Sequence, residues 1–465
     1  MFFNKSHIHF MGINGIGMSG IAKILLQKGY TVSGCDITTS GNQIQDLKKY
    51  GCSIASCHQD TICSDPSIQF LVHTTDIRSD HPEIIAAHQK GIKVIHRADM
   101  LAEIMRTQFS IAIAGSHGKT TTTSLATHML LQLDQNPTFI IGGQLNSVQT
   151  NAQYGSSLFA VAEADESDRS FLKLPKAISI VTNIDLEHLE TYANFEDIKQ
   201  TFIAYMNQLP FYGTNIVCLD DAGIQSVLPH ITTPVITYGT HPKAHIRIEN
   251  IQLMADESIF DIVDTRNNMV YTNMRIPLLG LHNVLNATSI ITLGMTLSLN
   301  LDEIQAALGT FSGVDRRFTI KGVSKRHQAT IVDDYGHHPE EIRNTILVAR
   351  KKSKGRLIML FQPHRHTRTQ HLWHDFITVL SNSDLDMVII TDIFAKGEQA
   401  QPGFSSYDMV RAIQQKNPSS NAVYIPLSKE GTEIIELLHQ TLQPHDLLLL
   451  QGAGKINSFA SDLLD

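Results

Sequence analysis

The sequence predicts an α/β protein built of three consecutive units, and three observations carry that reading. Short apolar runs alternate with helical periodicity along most of the chain, as expected for parallel strands joined by covering helices. Three of these runs lead into glycine turns, at Gly15-Ile16-Gly17-Met18-Ser19-Gly20, at Gly115-Ser116-His117-Gly118 and at Gly452-Ala453-Gly454-Lys455. The length of 465 residues leaves room for about three domains.

In the first unit a strand over 7–13 enters the glycine turn, and a helix follows over 18–27. A strand over 31–35 ends at Asp36, and apolar runs at 70–72 and 94–95 carry the alternation to about Arg106. The second unit opens with a strand over 110–114, a helix over 119–133 and strands over 158–162 and 177–182. From 246 to 278 strands follow one another without helices, which predicts an antiparallel patch on the side of this unit. Helices over 283–297 and 302–310 close it, and Ser312-Gly313 forms a hinge. Strands over 329–332, 356–361, 387–391, 423–425 and 447–450 make the third unit.

Composition narrows the function classes. An apolar fraction of 42% with 18% charged residues excludes a disordered or fibrous chain. A net charge of −8 argues against nucleic-acid binding, yet leaves room for a local pocket that takes a small anion. Five cysteines without a CxxC pair, with Cys52, Cys57 and Cys63 loosely clustered, read as reduced thiols in a cytoplasmic protein. No run reaches the roughly 18 apolar residues of a membrane span. His7, His9 and Asn14 interrupt the apolar opening, so it reads as a first strand and helix rather than a signal peptide.

The strongest local signal is Gly115-Ser116-His117-Gly118-Lys119-Thr120-Thr121 after a strand. Backbone N–H groups, a helix N-terminus and a lysine converge there on phosphate, and the Thr120 hydroxyl faces Mg²⁺. Ile113 stands where the usual phosphate-loop spacing has its first glycine. The first turn, with Asp36 near the end of the next strand, matches a dinucleotide-binding pattern that NAD, FAD or a nucleotide-sugar diphosphate would equally satisfy. The third turn serves structure at least as well as a ligand.

Two acidic segments, Glu163-Ala164-Asp165-Glu166-Ser167-Asp168 and Asp185-Leu186-Glu187-His188, follow successive strands. If these strands are parallel neighbours, both segments share the sheet edge of the phosphate loop, where oxygen donors suit Mg²⁺. In the third unit Tyr335-Gly336-His337-His338 and His364-Arg365-His366-Thr367-Arg368 follow strands, and the arginines there could clamp a carboxylate or phosphate. His371 and His374 read as a helix surface, since most of 23 histidines must be incidental.

Taken in order, the segments HFMGINGIGMSGIA, AGSHGKTTTTS, AEADESDRSFLKL, VTNIDLEHLETY, HNVLNA, GVDRRF, DDYGHHPEEI and QPHRHTRT resemble the Mur ligase family, in its alanine-adding branch. The resemblance implies a Rossmann-like UDP-sugar domain over 1–106, a central P-loop ATPase-type domain over 107–313 and a Rossmann-like closing domain over 314–465. It implies that ATP activates the lactyl carboxylate of UDP-N-acetylmuramate as an acyl phosphate, which the amine of L-alanine then attacks. By resemblance, Thr120, Glu163 and His188 hold Mg²⁺, and the 115–121 loop with Lys119 holds the phosphates. His282, Asn283 and Asn286 lie around the adenosine, and Arg316 approaches the phosphates or the muramoyl group. Gly12, Asn14, Gly15, Ile16, Gly17, Asp36, Thr74, Thr75 and Arg317 contact the sugar nucleotide. Tyr335, His337, Arg365 and Arg368 bring in the alanine. Lys119, Glu163, His188, His337 and Arg365 form the expected catalytic set, in a monomer or homodimer without nucleic-acid or membrane partners.

Three positions depart from the family pattern. Asn14 replaces a common glycine, and His73-Thr74-Thr75-Asp76-Ile77 replaces the usual stretch near the uracil. Phe202 stands where sister ligases carry a carbamylated lysine, and Lys199 is the nearest lysine. Rival readings are a ligase that recycles murein tripeptide onto the same sugar, a nicotinamide dehydrogenase resting on the first turn, and a non-catalytic nucleotide sensor.

Overall fold

Each unit builds its own sheet. A computed structural model describes residues 6–56, 65–428 and 431–464. Cys57 and Cys63 of the thiol cluster lie outside the described residues, while Cys35, Cys52 and Cys218 are buried and form no disulfide with one another.

The first sheet is wholly parallel, in the order Ser53–Ala55, Thr31–Cys35, His7–Met11, Ile68–His73, Lys93–His96. Its helix Ile16–Gln27 begins two residues earlier than expected, directly at the glycine turn. The helix is buried without a break from Met18 to Leu25 because two surfaces cover it. One is its own sheet; the other is the hairpin of Thr138–Leu145 and Thr150–Gln153 from the second unit, an element sequence reading missed. Gly20 permits this approach, since a Cβ there would lie 3.1 Å from Ala152 Cβ. The buried Lys23 pairs with Asp46 (2.6 Å) of its own unit and reaches across the same junction to Thr150 Oγ1 (2.8 Å). One apolar core therefore runs through the first two units.

The second sheet has ten strands, with Ile178–Val181, Phe109–Ala114 and Phe159–Glu163 at its centre. The two strands that carry the acidic segments are not neighbours, which corrects the sequence reading. The phosphate-loop strand lies between them and pairs parallel with both, Ala114 opposite Val181 and Ile113 opposite Glu163. The shared edge survives, because all three strands point the same way. The expected antiparallel patch is formed by Ile246–Leu253, Ser258–Asp264 and Met269–Ile276 at one edge of this same sheet, joined to its centre through Thr214–Cys218 and Val235–Gly239, two strands the sequence reading missed.

The third sheet runs Thr319–Val323, Thr330–Asp334, Leu447–Gln451, Leu357–Phe361, Met387–Ile390, Ala422–Tyr424, with the first strand antiparallel. Its two faces carry separate apolar cores. The near-continuous apolar runs at 357–361 and 447–450 match strands covered on both faces. His371 and His374 are exposed on helices, as expected.

Candidate active site

The turn between Phe109–Ala114 and the helix Lys119–Gln132 needs two glycines, for stated reasons. Gly115 adopts φ +128°, and a Cβ there would lie 2.1 Å from Thr182 Oγ1; Gly118 adopts φ +82°, and its Cβ would lie 2.9 Å from Asn286 Oδ1. Ile113 is fully buried within the strand, so the turn starts later than in the commoner spacing. The neighbouring strand end holds the turn in shape. His117 N donates to Asn183 Oδ1 (2.8 Å), Thr182 Oγ1 donates to His117 O (2.6 Å), and Asp185 N donates to Ser116 Oγ (2.9 Å).

Lys119 is drawn inward. Its ammonium donates to Gly115 O (2.6 Å), Ser116 O (3.1 Å) and the buried Glu166 Oε1 (2.8 Å). Burial opposes its charge, but Glu166 and Asp165 outweigh burial and raise its pKa. On one side Glu163 accepts from Gly142 N (2.7 Å) and faces the Thr120 hydroxyl; burial pushes its pKa up. On the other side His188 Nε2 lies 3.5 Å from Glu166 Oε1 and 3.5 Å from Glu187 Oε2. Burial works against the charge of His188, yet Glu166 and Glu190 raise its pKa to about 9.

The expected metal set is thus divided: Thr120 stands with Glu163, while His188 groups with Glu166 and Glu187, ligand atoms within 4.8 Å of one another. A divalent cation fits here. Glu166 Oε2 is buried with no hydrogen-bond partner among the described residues, and the donors are mostly hard oxygens. Neither Glu166 nor Glu187 was assigned a role from the sequence, although both stand in the acidic segments it singled out. The first segment serves two masters: Asp165 accepts from Arg97 (2.8 Å) and Asp168 from Thr75, both in the first unit.

A cavity of about 590 Å³ opens beside the phosphate loop. His117, Gly118, Thr121, His282, Asn283, Asn286 and Arg317 are among its lining residues. Asn283 and Asn286 meet there because three residues along the helix Leu281–Thr296 return to the same face. Burial lowers the pKa of His282, leaving a neutral ring.

In the first unit, Gly12 takes φ +75° and its N–H donates to Cys35 O (2.9 Å). Asp36 spends both oxygens on the backbone, accepting from Asn14 N (2.9 Å) and Thr38 N (3.0 Å). Asn14 keeps a negative φ, so the backbone does not require the family glycine there. Gly15 opens the helix as its N-cap, the Ile16 carbonyl accepts from Asn151 (2.8 Å), and the nearest atom to a Cβ on Gly17 would be Arg97 Nη1. Thr74 packs over Gly12, while Thr75 turns to His96 (3.0 Å) and Asp168.

The third unit closes the site from above. Arg365 pairs with Glu190 (2.8 Å), Arg368 approaches Glu187 (3.5 Å), and Arg317 and His117 both face Glu341, at 3.7 and 3.8 Å. Although burial disfavours charge on His117, Asp185 and Glu341 hold it protonated up to about 10. His337 is the opposite case: burial, then Arg368, lower it to about 4. Its ring packs against His364 and Tyr335.

Arg316 donates to Gly452 O (2.8 Å) and Gly454 O (3.2 Å) beside buried Asp333, with Tyr335 under its guanidinium. It braces the third glycine turn, whose Gly454 has no room for a Cβ against Gln362 Oε1 (1.9 Å). Phe202 is fully buried against Phe171, and Lys199 pairs with Glu196 on its own helix, so neither offers a carbamate to the site.

Three family profiles match the chain in order: Mur ligase family, catalytic domain, over 7–109; Mur ligase middle domain over 113–294; and Mur ligase, glutamate ligase domain over 316–454. The UDP-N-acetylmuramate–L-alanine ligase of Syntrophus aciditrophicus is 40% identical over 461 residues, covering 98% of this chain and 93% of the relative. That of Burkholderia cenocepacia is 41% identical over 464 residues, covering 98% and 97%. The crystal structure of UDP-N-acetylmuramate-alanine ligase MurC from Thermotoga maritima superposes with a TM-score of 0.80 at 25% identity, covering 98% of both chains. A murein peptide ligase from Psychrobacter arcticus shares the fold, with a TM-score of 0.73 at 21% identity. By profile, by full-length identity and by architecture, the chain belongs to the Mur ligase family.

Proposed function

We propose that this enzyme joins L-alanine to the lactyl carboxylate of UDP-N-acetylmuramate at the expense of ATP, through an acyl phosphate. The observation that carries the reading is full-length identity of 40–41% to relatives bearing that activity in their names. The units divide the labour: 1–106 binds the UDP-sugar, 107–313 binds ATP, and 314–465 brings the amino acid and closes. A carboxylate is a poor electrophile, so its activation needs charge on the transferring phosphoryl group to be offset. Lys119 does this from the phosphate loop, exchanging Glu166 for phosphate oxygens. Thr120, Glu163 and His188, with Glu166 and Glu187 beside them, would hold Mg²⁺, which when bound supplies further positive charge at the phosphates.

The cavity lined by His282, Asn283 and Asn286 takes the adenosine. Arg365 and Arg368 are placed to clamp the amino-acid carboxylate, trading their present acidic partners for it. His337 stays neutral there and adds no repulsion against the incoming ammonium. Arg316 braces the third glycine turn, while Arg317 lines the cavity. A nicotinamide dehydrogenase would leave the phosphate loop and both acidic segments without a role, so that reading is set aside. No described helix is long and apolar enough to cross a membrane, and Cys35, Cys52 and Cys218, buried thiols among the described residues, suit a cytoplasmic setting.

The test measures ADP release and conjugate formation with UDP-N-acetylmuramate and each of L-alanine, L-serine, glycine and the murein tripeptide. L-Alanine should give the highest kcat/KM. Preference for the tripeptide would transfer the chain to the recycling reading, and ATP binding without turnover would leave only a sensor.

A further inference from the structure

Beneath the first glycine turn lies a cluster that the ligation does not use. His9 stands in the strand His7–Met11, Cys35 ends Thr31–Cys35, and Glu83 opens the covering helix Pro82–Gln89. Their relative exposures are 1%, 0% and 0%. His9 Nε2 is 3.1 Å from Glu83 Oε1, and Cys35 Sγ is 3.8 and 3.5 Å from the two oxygens of the same carboxylate. One ligand atom from each residue lies within 4.8 Å of the other two. His9 Nε2 is itself buried and makes no hydrogen bond among the described residues. A thiol packs readily in an apolar core, but an imidazole and a carboxylate each cost free energy to bury, so their meeting at one thiol calls for a chemical reason.

We propose that His9, Cys35 and Glu83 form a zinc(II) site. Tetrahedral zinc with bonds of about 2.3 Å to sulfur and about 2.0–2.2 Å to nitrogen and oxygen sets its ligand atoms roughly 3.3–3.6 Å apart. The nitrogen–oxygen separation of 3.1 Å and the sulfur–oxygen separations of 3.5 and 3.8 Å lie close to that range, and the His9 and Cys35 ligand atoms stand within 4.8 Å of each other. A thiolate in the donor set selects zinc over magnesium, which prefers oxygen. The charge also closes: Zn²⁺ with one thiolate, one carboxylate and a neutral imidazole is neutral overall, as an interior site requires. Coordination replaces the Cys35 S–H bond by an S–Zn bond, and the proton passes to water as ion and chain assemble, before the core seals.

A second set of hydrogen bonds fixes the imidazole for this role. His9 Nδ1 lies 2.9 Å from Ser33 Oγ, Ser33 Oγ lies 2.7 Å from His7 Nε2, and His7 Nδ1 lies 2.6 Å from Ser67 Oγ. Ser67 Oγ donates to Asp65 (2.7 Å) at the surface. If every ring Nδ1 carries its hydrogen, each group in this chain donates once to the next, and His9 Nε2 is left with a free lone pair toward Cys35 and Glu83. Such an outer partner is what orients ligating histidines. The consequence is local: Cys35 O accepts from Gly12 N (2.9 Å) and Ile13 N (3.2 Å), so the ion would clamp the strand ends that carry the turn.

The full chain is expressed in cobalt-supplemented medium, dialysed against chelator and examined by absorption. The wild-type protein should retain a thiolate-to-cobalt charge-transfer band with tetrahedral ligand-field bands. Cys35→Ser should lose the thiolate band, His9→Gln should lose the retained cobalt band, and a variant with Cys35 as its sole cysteine should keep it. Absence of the band from the wild type, its survival in Cys35→Ser, or its loss from the sole-cysteine variant overturns the proposal in favour of a metal-free buried pair. The cluster at Glu166, Glu187 and His188 contains no sulfur and cannot mimic this signal.

Discussion

Lys119 carries more structural weight than a loop lysine. Its partner Glu166 has a side chain only 2% exposed, so truncating Lys119 removes a phosphate ligand and leaves a buried carboxylate with His188, 3.5 Å away, as its remaining cation. Lys119→Ala should lower kcat by about 10²–10³-fold, the range for removing one charge-stabilising donor. It should also cost roughly 3–5 kcal/mol in unfolding free energy, as expected when one member of a buried pair is lost. Adding Glu166→Gln should restore much of the stability and none of the turnover. Urea melts and steady-state rates on both variants decide this, and near-normal turnover in either contradicts the role given to Lys119.

His337 gives a second residue-scale expectation. Its folded pKa of about 4 lies below the ordinary 6.5, so between those values the unfolded chain binds the proton more readily. Its contribution to stability is complete above about pH 6.5 and is lost as the pH falls toward 4. His337→Gln should therefore show a smaller loss of unfolding free energy between pH 7 and 5 than the wild type. Equal losses would mean that the neutral ring is not buried as described. His364, lowered to about 3 by burial and its cationic neighbours, leaves a residual slope in both proteins.

At the scale of elements, the phosphate loop is a strand, a turn and a helix whose turn has no spare volume. Gly115→Ala would force a Cβ to 2.1 Å from Thr182 Oγ1 at φ +128°. Loop and neighbouring strand end must then separate, and ATP affinity by calorimetry should fall at least about tenfold, since strain of a few kcal/mol exceeds the 1.4 kcal/mol per decade. Unchanged affinity would show that the turn relaxes freely. This element was legible in the sequence because glycine, lysine and threonine at fixed offsets after an apolar run leave few alternatives. The hairpin over 138–153 was not legible: Gly142 and Gly143 interrupt its alternation, and its apolar residues meet a helix from another unit.

Over the whole molecule, the joints differ in kind. The first two units share an apolar core, whereas the third meets them through charged pairs: Arg365–Glu190, Arg368–Glu187, Lys352–Asp256 and His117–Glu341. The partly exposed pairs Arg365–Glu190 and Lys352–Asp256 are worth little singly and are screened by salt, while the more buried Arg368–Glu187 and His117–Glu341 are screened less. The third unit should therefore swing away at high ionic strength, seen as a larger radius of gyration by X-ray scattering, and return with an ATP analogue plus acceptor. His117 adds a pH limit. Its folded pKa of about 10 lies above 6.5, so its grip is complete below about pH 6.5 and lost as the pH rises toward 10. Expansion over that range should be weaker in His117→Gln; equal expansion in both proteins would remove His117 from the closure.

What the chain determines locally are the strands, the glycine turns and the chemical character of each loop, because periodicity and steric freedom act over a few residues. Family membership was legible for the same reason, since its motifs are contiguous. Which carboxylate faces which cation was settled only by the folded arrangement. The run from Glu163 to Asp168 divides between two units because adjacent residues at a strand end point in different directions, and the strands carrying the two acidic segments flank a third that sequence order cannot reveal. The cluster of His9, Cys35 and Glu83 makes the same point. Its members lie up to 74 positions apart, and parallel strand pairing with a covering helix, a long-range contact, is what brings them together.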